Sequence, residues 1–390
     1  MTSVPASSTH ADFAIVGAGC AGLSLAVQLR QQPALKGRRL LMIEPRTTYT
    51  RDRSWCYWNV ASHAFESAVS CDWGQWCVVS VNGHENRQFS HNYRYKHVDS
   101  GMLYAKALDV LRADPHVEMR LGEGLQSLEE HEEFVELRTE TGCYRTRWVF
   151  DSRPPLLGKV PAGEVRLWQH FYGQCVRTER PVFDPTAVTL MDFQVDQSKG
   201  MHFMYVLPFD AHHALVEDTY MSPTVVAKEI YAASLRDYLK TRYSLDAWEV
   251  QWDEQGKIPM TTESLSPSHY KRIIPIGIRG GLAKPSTGYA FLAIQEFSQQ
   301  LAHRLATHGE LAIPTSRSRW SQWLDQVFLR FLAEHPDQGP QVFSSLFANV
   351  PADVLVRFLT DHGSLADNLA VMKAMPFRPL TAQAFSMLRL

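Results

Sequence analysis

A glycine pattern within residues 12 to 44 restricts the fold of this chain more than any other feature. Gly17, Gly19 and Gly22 follow the apolar residues 13 to 16 and precede a segment with helical spacing of leucines. In such a strand, turn and helix, the first glycine permits a tight turn, the second admits a pyrophosphate and the third lets the helix pack on the strand. Backbone N–H groups at the start of the helix then bind phosphate. The sequence therefore predicts a dinucleotide site.

A second strand follows the helix and ends in an acidic residue. Residues 39 to 43 are largely apolar, and Glu44 comes directly after them. A carboxylate at this position accepts hydrogen bonds from the adenosine ribose of a dinucleotide. We expect FAD rather than NAD, because the glycine pattern begins close to the N-terminus and the sequence has no second glycine-rich βαβ unit.

Composition excludes several classes of protein. With 390 residues, 45% of them hydrophobic and 21% charged, the chain is globular and long enough for two domains. The net charge is −2 and the basic residues form no stripe, so no nucleic-acid partner is expected. Six dispersed cysteines indicate reduced thiols, a cytoplasmic protein and no metal site. The sequence shows no signal peptide and no apolar run that could span a bilayer.

Hydrophobic periodicity divides the chain into four parts, and the fold class is α/β. Residues 1–11 are expected to be a disordered tail. Residues 12–163 and 270–310 are predicted to form a discontinuous, Rossmann-like FAD-binding domain. Residues 164–269 contain consecutive alternating segments, which predict an inserted antiparallel-sheet substrate domain. Residues 311–390 have helical spacing, and these helices either pack into the core or present a surface to a bilayer.

Further polar and aromatic residues lie near the predicted nucleotide site. The loop after Glu44 includes Arg53 and Trp55. An arginine here could neutralise a pyrophosphate and an aromatic ring could wall a flavin, but a surface loop with a buried tryptophan explains the composition equally well. Asp151 ends a predicted strand, and strand ends meet the cofactor in a doubly wound fold.

The adjacent acids Glu217 and Asp218 lie in a segment with strand alternation. Their side chains should face opposite sides of a sheet, so only one can point into a given cavity. A solvated strand edge is the simplest explanation of such a pair. A carboxyl group that faces an apolar cavity would instead be desolvated, would have a raised pKa and could donate a proton near neutral pH.

The chain resembles the flavoprotein lycopene cyclases, and the bacterial lycopene β-cyclases most of all. Beside the glycine pattern, the matching segments occur in family order at residues 51–55, 168–173, 179–185, 190–193, 205–209, 214–219, 256–260 and 280–289. The resemblance implies a redox-neutral reaction that closes the acyclic ψ ends of lycopene to β-ionone rings, giving γ-carotene and then β-carotene. A proton added to the terminal double bond gives a tertiary carbocation, the polyene closes the ring, and loss of a ring proton restores the alkene.

The resemblance also implies cofactors, partners and roles for residues. The enzyme would hold reduced FAD, with NAD(P)H as the electron source, and would associate peripherally with the membrane that contains its polyene substrate. Glu217 would be the acid, with Asp218 beside it in the acidic motif. A second group of flavin contacts would comprise Gly280, Gly281, Lys284, Thr287 and Gly288. The substrate cavity would be lined by Trp55, His170, Asp192 and Tyr205, although each of these could equally be a packing residue.

Two other functions are compatible with these patterns. One is a flavin-dependent monooxygenase or polyprenyl reductase on the same fold, since fold alone does not determine chemistry. The other is a carotenoid- or lipid-binding protein with a vestigial flavin site.

Overall fold

A computed structural model describes residues 9–265, 270–309, 311–315 and 317–375. The strands are β1 (Thr9–Val16), β2 (Leu40–Glu44), β3 (Ser54–Trp58), β4 (Val69–Trp73), β5 (Gln75–Val79), β6 (Glu85–Phe89), β7 (Tyr95–Asp99), β8 (Val117–Leu121), β9 (Leu125–Glu130), β10 (Val135–Thr139), β11 (Cys143–Asp151), β12 (Arg166–Arg177), β13 (Ala187–Asp192), β14 (Met201–Pro208), β15 (His213–Ser222), β16 (Glu249–Thr261) and β17 (Ile273–Pro275). The helices are α1 (Cys20–Gln31), α2 (Ser100–Arg112), α3 (Lys228–Tyr243), α4 (Phe291–His308), α5 (Arg319–Glu334), α6 (Gly339–Asn349), α7 (Ala352–Leu359) and α8 (Leu365–Ala374).

The first sheet carries the predicted dinucleotide unit. Its strand order is β8-β2-β1-β11-β10-β9, with the short β17 beside the end of β11. Strands β8, β2, β1, β11 and β17 run parallel, whereas β10 pairs antiparallel with both of its neighbours, β11 and β9. Helices α1 and α4 pack together on one face, where Leu23, Leu29 and Leu301 are fully buried. The central strands are buried on both faces, as all five residues of β2 show. This explains why their sequences are apolar runs rather than alternating segments.

Strand β1 is longer than its apolar run. It begins at Thr9, and His10 and Ala11 pair with Arg145 and Thr146 of β11. The predicted disordered tail is therefore wrong for residues 9–11, because a parallel partner holds their backbone without needing apolar side chains. Residues 1–8 lie outside the described residues.

The second sheet has the order β16-β12-β15-β14-β13-β5-β6. The predicted antiparallel arrangement of β13, β14 and β15 is confirmed. Strands β5 and β6 correct the predicted boundaries, since they come from the range 12–163 but join this sheet through a parallel pairing of β5 with β13. The alternating pattern predicted the β5–β6 hairpin but not its pairing with β13. Pairing between strands that are far apart in the sequence leaves no local pattern.

The remaining elements enclose the second sheet. Helix α3 packs on its outer face, and strands β3, β7 and β4 form a small third sheet beside it. Apolar residues of α5, α6 and α7, among them Phe331, Phe343 and Leu355, share one core with Trp76 and Phe203 of the second sheet. None of the helices in the described parts of the chain is long and apolar enough to cross a bilayer.

Candidate active site

A cavity of about 670 Å³ lies where the first sheet, the second sheet and the C-terminal helices meet. Its volume is within the range of small-molecule sites in proteins, and its walls are mainly apolar. The start of α1 contributes Gly19 and Cys20, and α6 contributes Phe343 and Phe347. The second sheet and neighbouring loops contribute Phe171, Leu190, Met191, Phe203, Tyr205, Glu217, Thr219, Met221, Thr287, Gly288 and Tyr289.

The glycine loop (residues 17 to 22) has the geometry that a pyrophosphate requires. Gly17 has φ of 89°, which favours glycine, and a Cβ on Gly22 would lie 2.0 Å from the Gly17 carbonyl oxygen. Gly19 is the N-cap of α1 and provides no side-chain cap. A Cβ on Gly19 would approach only Arg46 Nη2, at 3.9 Å, so the space over this residue is open. These residues fit the phosphates of a dinucleotide.

Glu44 lies beside the glycine loop at the end of β2. Its Oε2 accepts a hydrogen bond from the Ala18 N–H at 2.6 Å, and its Oε1 accepts one from Arg46 Nε at 2.9 Å. Arg46 is therefore the arginine that the structure brings to the loop. The predicted Arg53 is exposed, donates to the Asp52 carbonyl oxygen and does not line the cavity. Spacing alone did not distinguish these two arginines.

Asp151 is buried and does not line the cavity, which corrects its predicted contact with the cofactor. Its carboxylate accepts from Arg153 Nε and Nη2 at 2.9 and 2.7 Å, and Arg279 Nε lies 3.1 Å away. It is Arg153 and Ser152 that reach the cavity wall. Asp151 thus orients a cationic side chain toward the site.

Residues 280 to 288 divide into two groups. The N–H of Gly280 donates to the Ile276 carbonyl at 3.2 Å and that of Gly281 donates to the Ile278 carbonyl at 3.0 Å. Neither glycine lines the cavity, because both are used to turn the loop. Thr287 and Gly288 do line it, and their contact with a flavin stays a prediction.

Lys284 points away from the cavity, toward the C-terminal helices. Its Nζ lies 2.5 Å from Asp361 Oδ1 and 3.1 Å from Asp325 Oδ1. Arg317 Nη1 also contacts Asp325, at 3.0 Å. The predicted cofactor contact is therefore replaced by a buried ion cluster that joins this loop to α5 and to the residues after α7.

Glu217 lies on the cavity wall, together with Thr219 on the same face of β15. Its side chain is almost buried, with 8% relative exposure. Burial, and then the neighbouring carboxyl of Glu254, raise the pKa of Glu217 well above its usual value. This environment favours the protonated form of the carboxyl.

Glu254 on β16 is a residue that the sequence did not reveal. It is buried, and its Oε2 accepts a hydrogen bond from Ser54 Oγ at 3.1 Å. Its neighbours Asp253 and Gln255 are exposed. An acidic residue between two polar residues is typical of an exposed edge strand, so nothing in the local sequence indicates that Glu254 is buried. Only the strand order, with β12 between β15 and β16, brings Glu254 to Glu217.

Asp218 faces the opposite side of the second sheet and does not reach the cavity. Its Oδ1 lies 2.5 Å from His202 Nε2, and the His202 ring stacks on Tyr220 at 3.9 Å between centroids. This corrects its grouping with Glu217 as a catalytic residue, and the cause is the strand alternation that places successive side chains on opposite faces.

His170 and Asp192 are also on the outer face, beneath α3, which corrects their predicted place in the substrate cavity. His170 Nδ1 lies 2.5 Å from the Tyr231 hydroxyl, and burial lowers the pKa of His170 to about 4. Asp192 Oδ2 accepts from the Tyr238 hydroxyl at 2.9 Å. Both side chains hold α3 against the sheet. They therefore have the packing role that was the alternative to lining the substrate cavity.

The comparison with protein families decides the assignment of the chain. The sequence profile of the family described as "Lycopene cyclase protein" matches residues 12 to 385. The chain belongs to the lycopene cyclase family. It is also 26% identical over 404 aligned residues to the lycopene beta-cyclase of Pantoea ananas, an alignment that covers 96% of this chain and 97% of that protein.

Solved structures show that this cyclase family member shares its fold with other proteins. A geranylgeranyl bacteriochlorophyll reductase-like protein from Thermoplasma acidophilum superposes with a TM-score of 0.62 at 11% identity, covering 96% of this chain and 98% of that one. A flavoprotein/dehydrogenase from Cytophaga hutchinsonii gives a TM-score of 0.61 at 12% identity, with 97% and 100% covered. At these identities the likeness concerns the fold alone, and that fold is one that a flavoprotein adopts.

Aromatic side chains form part of the cavity wall in this family member. Trp55 stacks on Phe291, with centroids 5.9 Å apart and an interplanar angle of 22°. The hydroxyl groups of Tyr205 and Tyr95 are 2.9 Å apart. The structure thus places Trp55 and Tyr205 on the wall of this cavity, together with Phe291 and Tyr95.

Proposed function

We propose that this member of the lycopene cyclase family closes the ψ ends of lycopene to β-ionone rings, with Glu217 as the acid that starts the reaction. One observation carries the proposal. Among the described residues, Glu217 is the only acidic side chain that lines the largely apolar cavity. Because burial raises the pKa of its carboxyl and so favours the protonated form, Glu217 can donate a proton to a hydrocarbon in this cavity.

The chain's own residues support each part of this chemistry. The Glu217 O–H donates its proton to the terminal double bond, which leaves a tertiary carbocation. The rings of Trp55, Tyr205 and Tyr289 line the same cavity, and aromatic faces attract cationic charge. The apolar wall excludes water that would otherwise add to the cation. Ring closure and loss of a ring proton then give the β ring, first in γ-carotene and then in β-carotene.

The glycine loop and its neighbours are assigned to FAD. Gly19 and the start of α1 would bind the pyrophosphate, Glu44 would lie beside the ribose, and Thr287 and Gly288 would border the flavin ring. When bound, reduced FAD supplies an electron-rich ring to the site without net electron transfer. NAD(P)H is the proposed electron donor, as a dissociable reductant, since the sequence has no second glycine-rich βαβ unit.

Peripheral contact with a membrane is the second part of the proposal. Trp320, Leu365 and Leu369, which we call the C-terminal apolar patch, are exposed by 41%, 74% and 57%. Trp320 stacks on Trp323, and both α5 and α8 line one apolar groove. Exposed tryptophan and leucine side chains are typical of helices that lie in a bilayer interface. This surface would give the protein, on the cytoplasmic side, access to a substrate that dissolves in lipid.

Expression in cells that accumulate lycopene tests the function. We expect chromatography of the pigments to show β-carotene, with γ-carotene as an intermediate. Unchanged lycopene would contradict the proposal. Oxygenated or hydrogenated carotenoids, with substrate-dependent consumption of NADPH, would instead indicate a monooxygenase or a reductase. Purified protein that binds carotenoid but takes up no FAD would indicate a binding protein.

A further inference from the structure

Glu217 and Glu254 lie on either side of one glycine. In β12, Gly173 is directly opposite Glu217 of β15 and directly opposite Glu254 of β16. Side chains that are directly opposite in neighbouring strands project from the same face of a sheet. Since Gly173 has no side chain between them, the two carboxyl groups face the same gap above it, and each affects the pKa of the other.

The gap at Gly173 is essential for this contact. A Cβ at this position would lie 2.6 Å from Glu217 Cγ and 3.2 Å from its Oε1. Any side chain at position 173 would therefore displace the Glu217 side chain. A glycine normally weakens a strand, and it is retained where another group must come close.

The groups that face this pair provide little compensation for two negative charges. Ser54 donates to Glu254, and Cys56 of the same strand lines the same cavity as Glu217. Tyr205, opposite Glu217 on β14, has its hydroxyl beside Cys56 and Tyr95. Two charged groups in the preceding loop act on Glu254 in opposite directions, Arg53 favouring its ionised form and Asp52 opposing it.

These surroundings determine how many protons the pair holds. Both glutamates are buried, and ionising two adjacent carboxyls in a dry site is strongly unfavourable. Two carboxyl groups that face each other can form a hydrogen bond only when one of them carries a proton, because a carboxylate is an acceptor only. The two groups should therefore titrate as one unit, with one proton bound at neutral pH.

We propose that Glu217 and Glu254 form one proton-sharing pair across Gly173, in which Glu254 is a positioning residue that keeps the shared proton on Glu217 and orients it toward the cavity. This inference rests on the proposed function, since it assigns Glu254 a part in the cyclisation. It goes beyond a single acid, because the reacting unit is the pair.

The pair also accounts for the protons of the reaction. The O–H bond of Glu217 breaks as a C–H bond forms at the alkene carbon, and the pair is left with two negative charges. The ring carbon that later loses a proton is joined to the same quaternary carbon as the one that gained it. When that C–H bond breaks to restore the alkene, the doubly charged pair recovers the proton. Each turnover thus begins and ends with one proton on the pair.

The pH dependence of the rate tests the role of Glu254. Purified protein with reduced FAD would be assayed on lycopene in phosphatidylcholine vesicles, as the parent, as Glu254→Gln and as the control Asp253→Asn. The parental rate should fall as rising pH removes the shared proton. In Glu254→Gln this fall should move to lower pH by about one unit or more, because the neighbouring negative charge is lost. Asp253→Asn removes an exposed carboxyl from the same strand and should leave the profile unchanged.

An unchanged pH profile in Glu254→Gln with normal FAD content would overturn the inference. Infrared spectra provide a readout that does not depend on activity. The parent minus Glu217→Gln difference spectrum at neutral pH should contain the C=O band of one protonated carboxyl. Absence of that band would also overturn the pairing. If the band is present and moves to another frequency in Glu254→Gln, yet the parent forms no cyclic carotene, the pair exists and the proposed function has failed instead.

Discussion

Glu217 and Asp218 are neighbours in β15, yet their carboxyl groups lie on opposite faces of the second sheet. Glu217 lines the cavity, whereas Asp218 is 2.5 Å from His202 Nε2 beneath α3. A substitution at Glu217 should therefore act on chemistry. A substitution at Asp218 should act on the packing of α3 and on the position of β15.

Replacing Gly19 should remove the cofactor and leave the fold intact. In the protein alone a Cβ at this position meets only Arg46 Nη2, at 3.9 Å, so Gly19→Val has room to fold. The valine would occupy the space over the start of α1 where the pyrophosphate is expected. We predict folded protein without flavin absorbance, measured by circular dichroism and visible spectroscopy. Gly37→Val, which has no atom within 4 Å of the added Cβ, is the control and should retain FAD. Normal flavin content in Gly19→Val would disprove the assignment.

The stability of the protein should depend on pH through Glu217. Its pKa in the folded protein is raised above 4.5, so the unfolded chain ionises first as pH rises. The free energy of unfolding that this proton contributes is thus complete below about pH 4.5 and is lost as pH increases toward the folded-state pKa. Glutamine at position 217 cannot ionise, so the stability of Glu217→Gln lacks this pH dependence. The free energy of unfolding of Glu217→Gln minus that of the parent should therefore increase from about pH 5 to about pH 8. Urea denaturation at both pH values measures this, and a constant difference would contradict it.

Lys284 should be a stabilising residue rather than a cofactor ligand. Lys284→Met leaves Asp325, whose side chain is 3% exposed, with Arg317 as its remaining cation. Breaking a buried ion pair typically costs about 3–5 kcal/mol, so the denaturation midpoint should fall clearly. The exposed Lys240→Met should change stability by less than about 0.5 kcal/mol. The folded fraction of Lys284→Met should retain FAD, and loss of FAD without destabilisation would restore the original prediction.

Membrane contact should depend on the C-terminal apolar patch. We expect the parent to sediment with liposomes, and the triple variant Trp320→Ser, Leu365→Ser, Leu369→Ser to remain largely in the supernatant. The control Val81→Ser removes an apolar side chain of similar exposure, 56%, from the turn between β5 and β6, outside the patch, and should bind like the parent. A parent that stays in the supernatant at every salt concentration would contradict membrane contact.

Sequence patterns predicted the parts of the structure that depend on residues close together in the chain. The glycine loop, the strands on either side of α1 and the opposite directions of Glu217 and Asp218 all follow from residues close together in the chain. Successive side chains of a strand point to opposite faces, so the sequence alone predicts which residues of one strand share a face. It could not state which face borders a cavity.

Features that depend on remote contacts could not be predicted in this way. Glu254 reaches Glu217 only because β12 lies between their strands, and nothing near Glu254 indicates that order. Lys284 is in a glycine-rich loop that suggests a cofactor, but its partners Asp325 and Asp361 come from the C-terminal region. His170 and Asp192 lie beneath α3 because of the parity of their own strands, which the family resemblance did not resolve.

The central claim is that Glu217 delivers the proton that starts cyclisation, and the most direct test is the initial rate of cyclic carotene formation by Glu217→Gln and Asp218→Asn. Both proteins would be purified with reduced FAD, checked for equal flavin content and assayed on lycopene in liposomes. Glu217→Gln should lower the rate by about 10²–10⁴-fold, the usual loss for a positioned general acid, and Asp218→Asn should have the milder effect. A parental rate in Glu217→Gln together with an inactive Asp218→Asn would contradict the account.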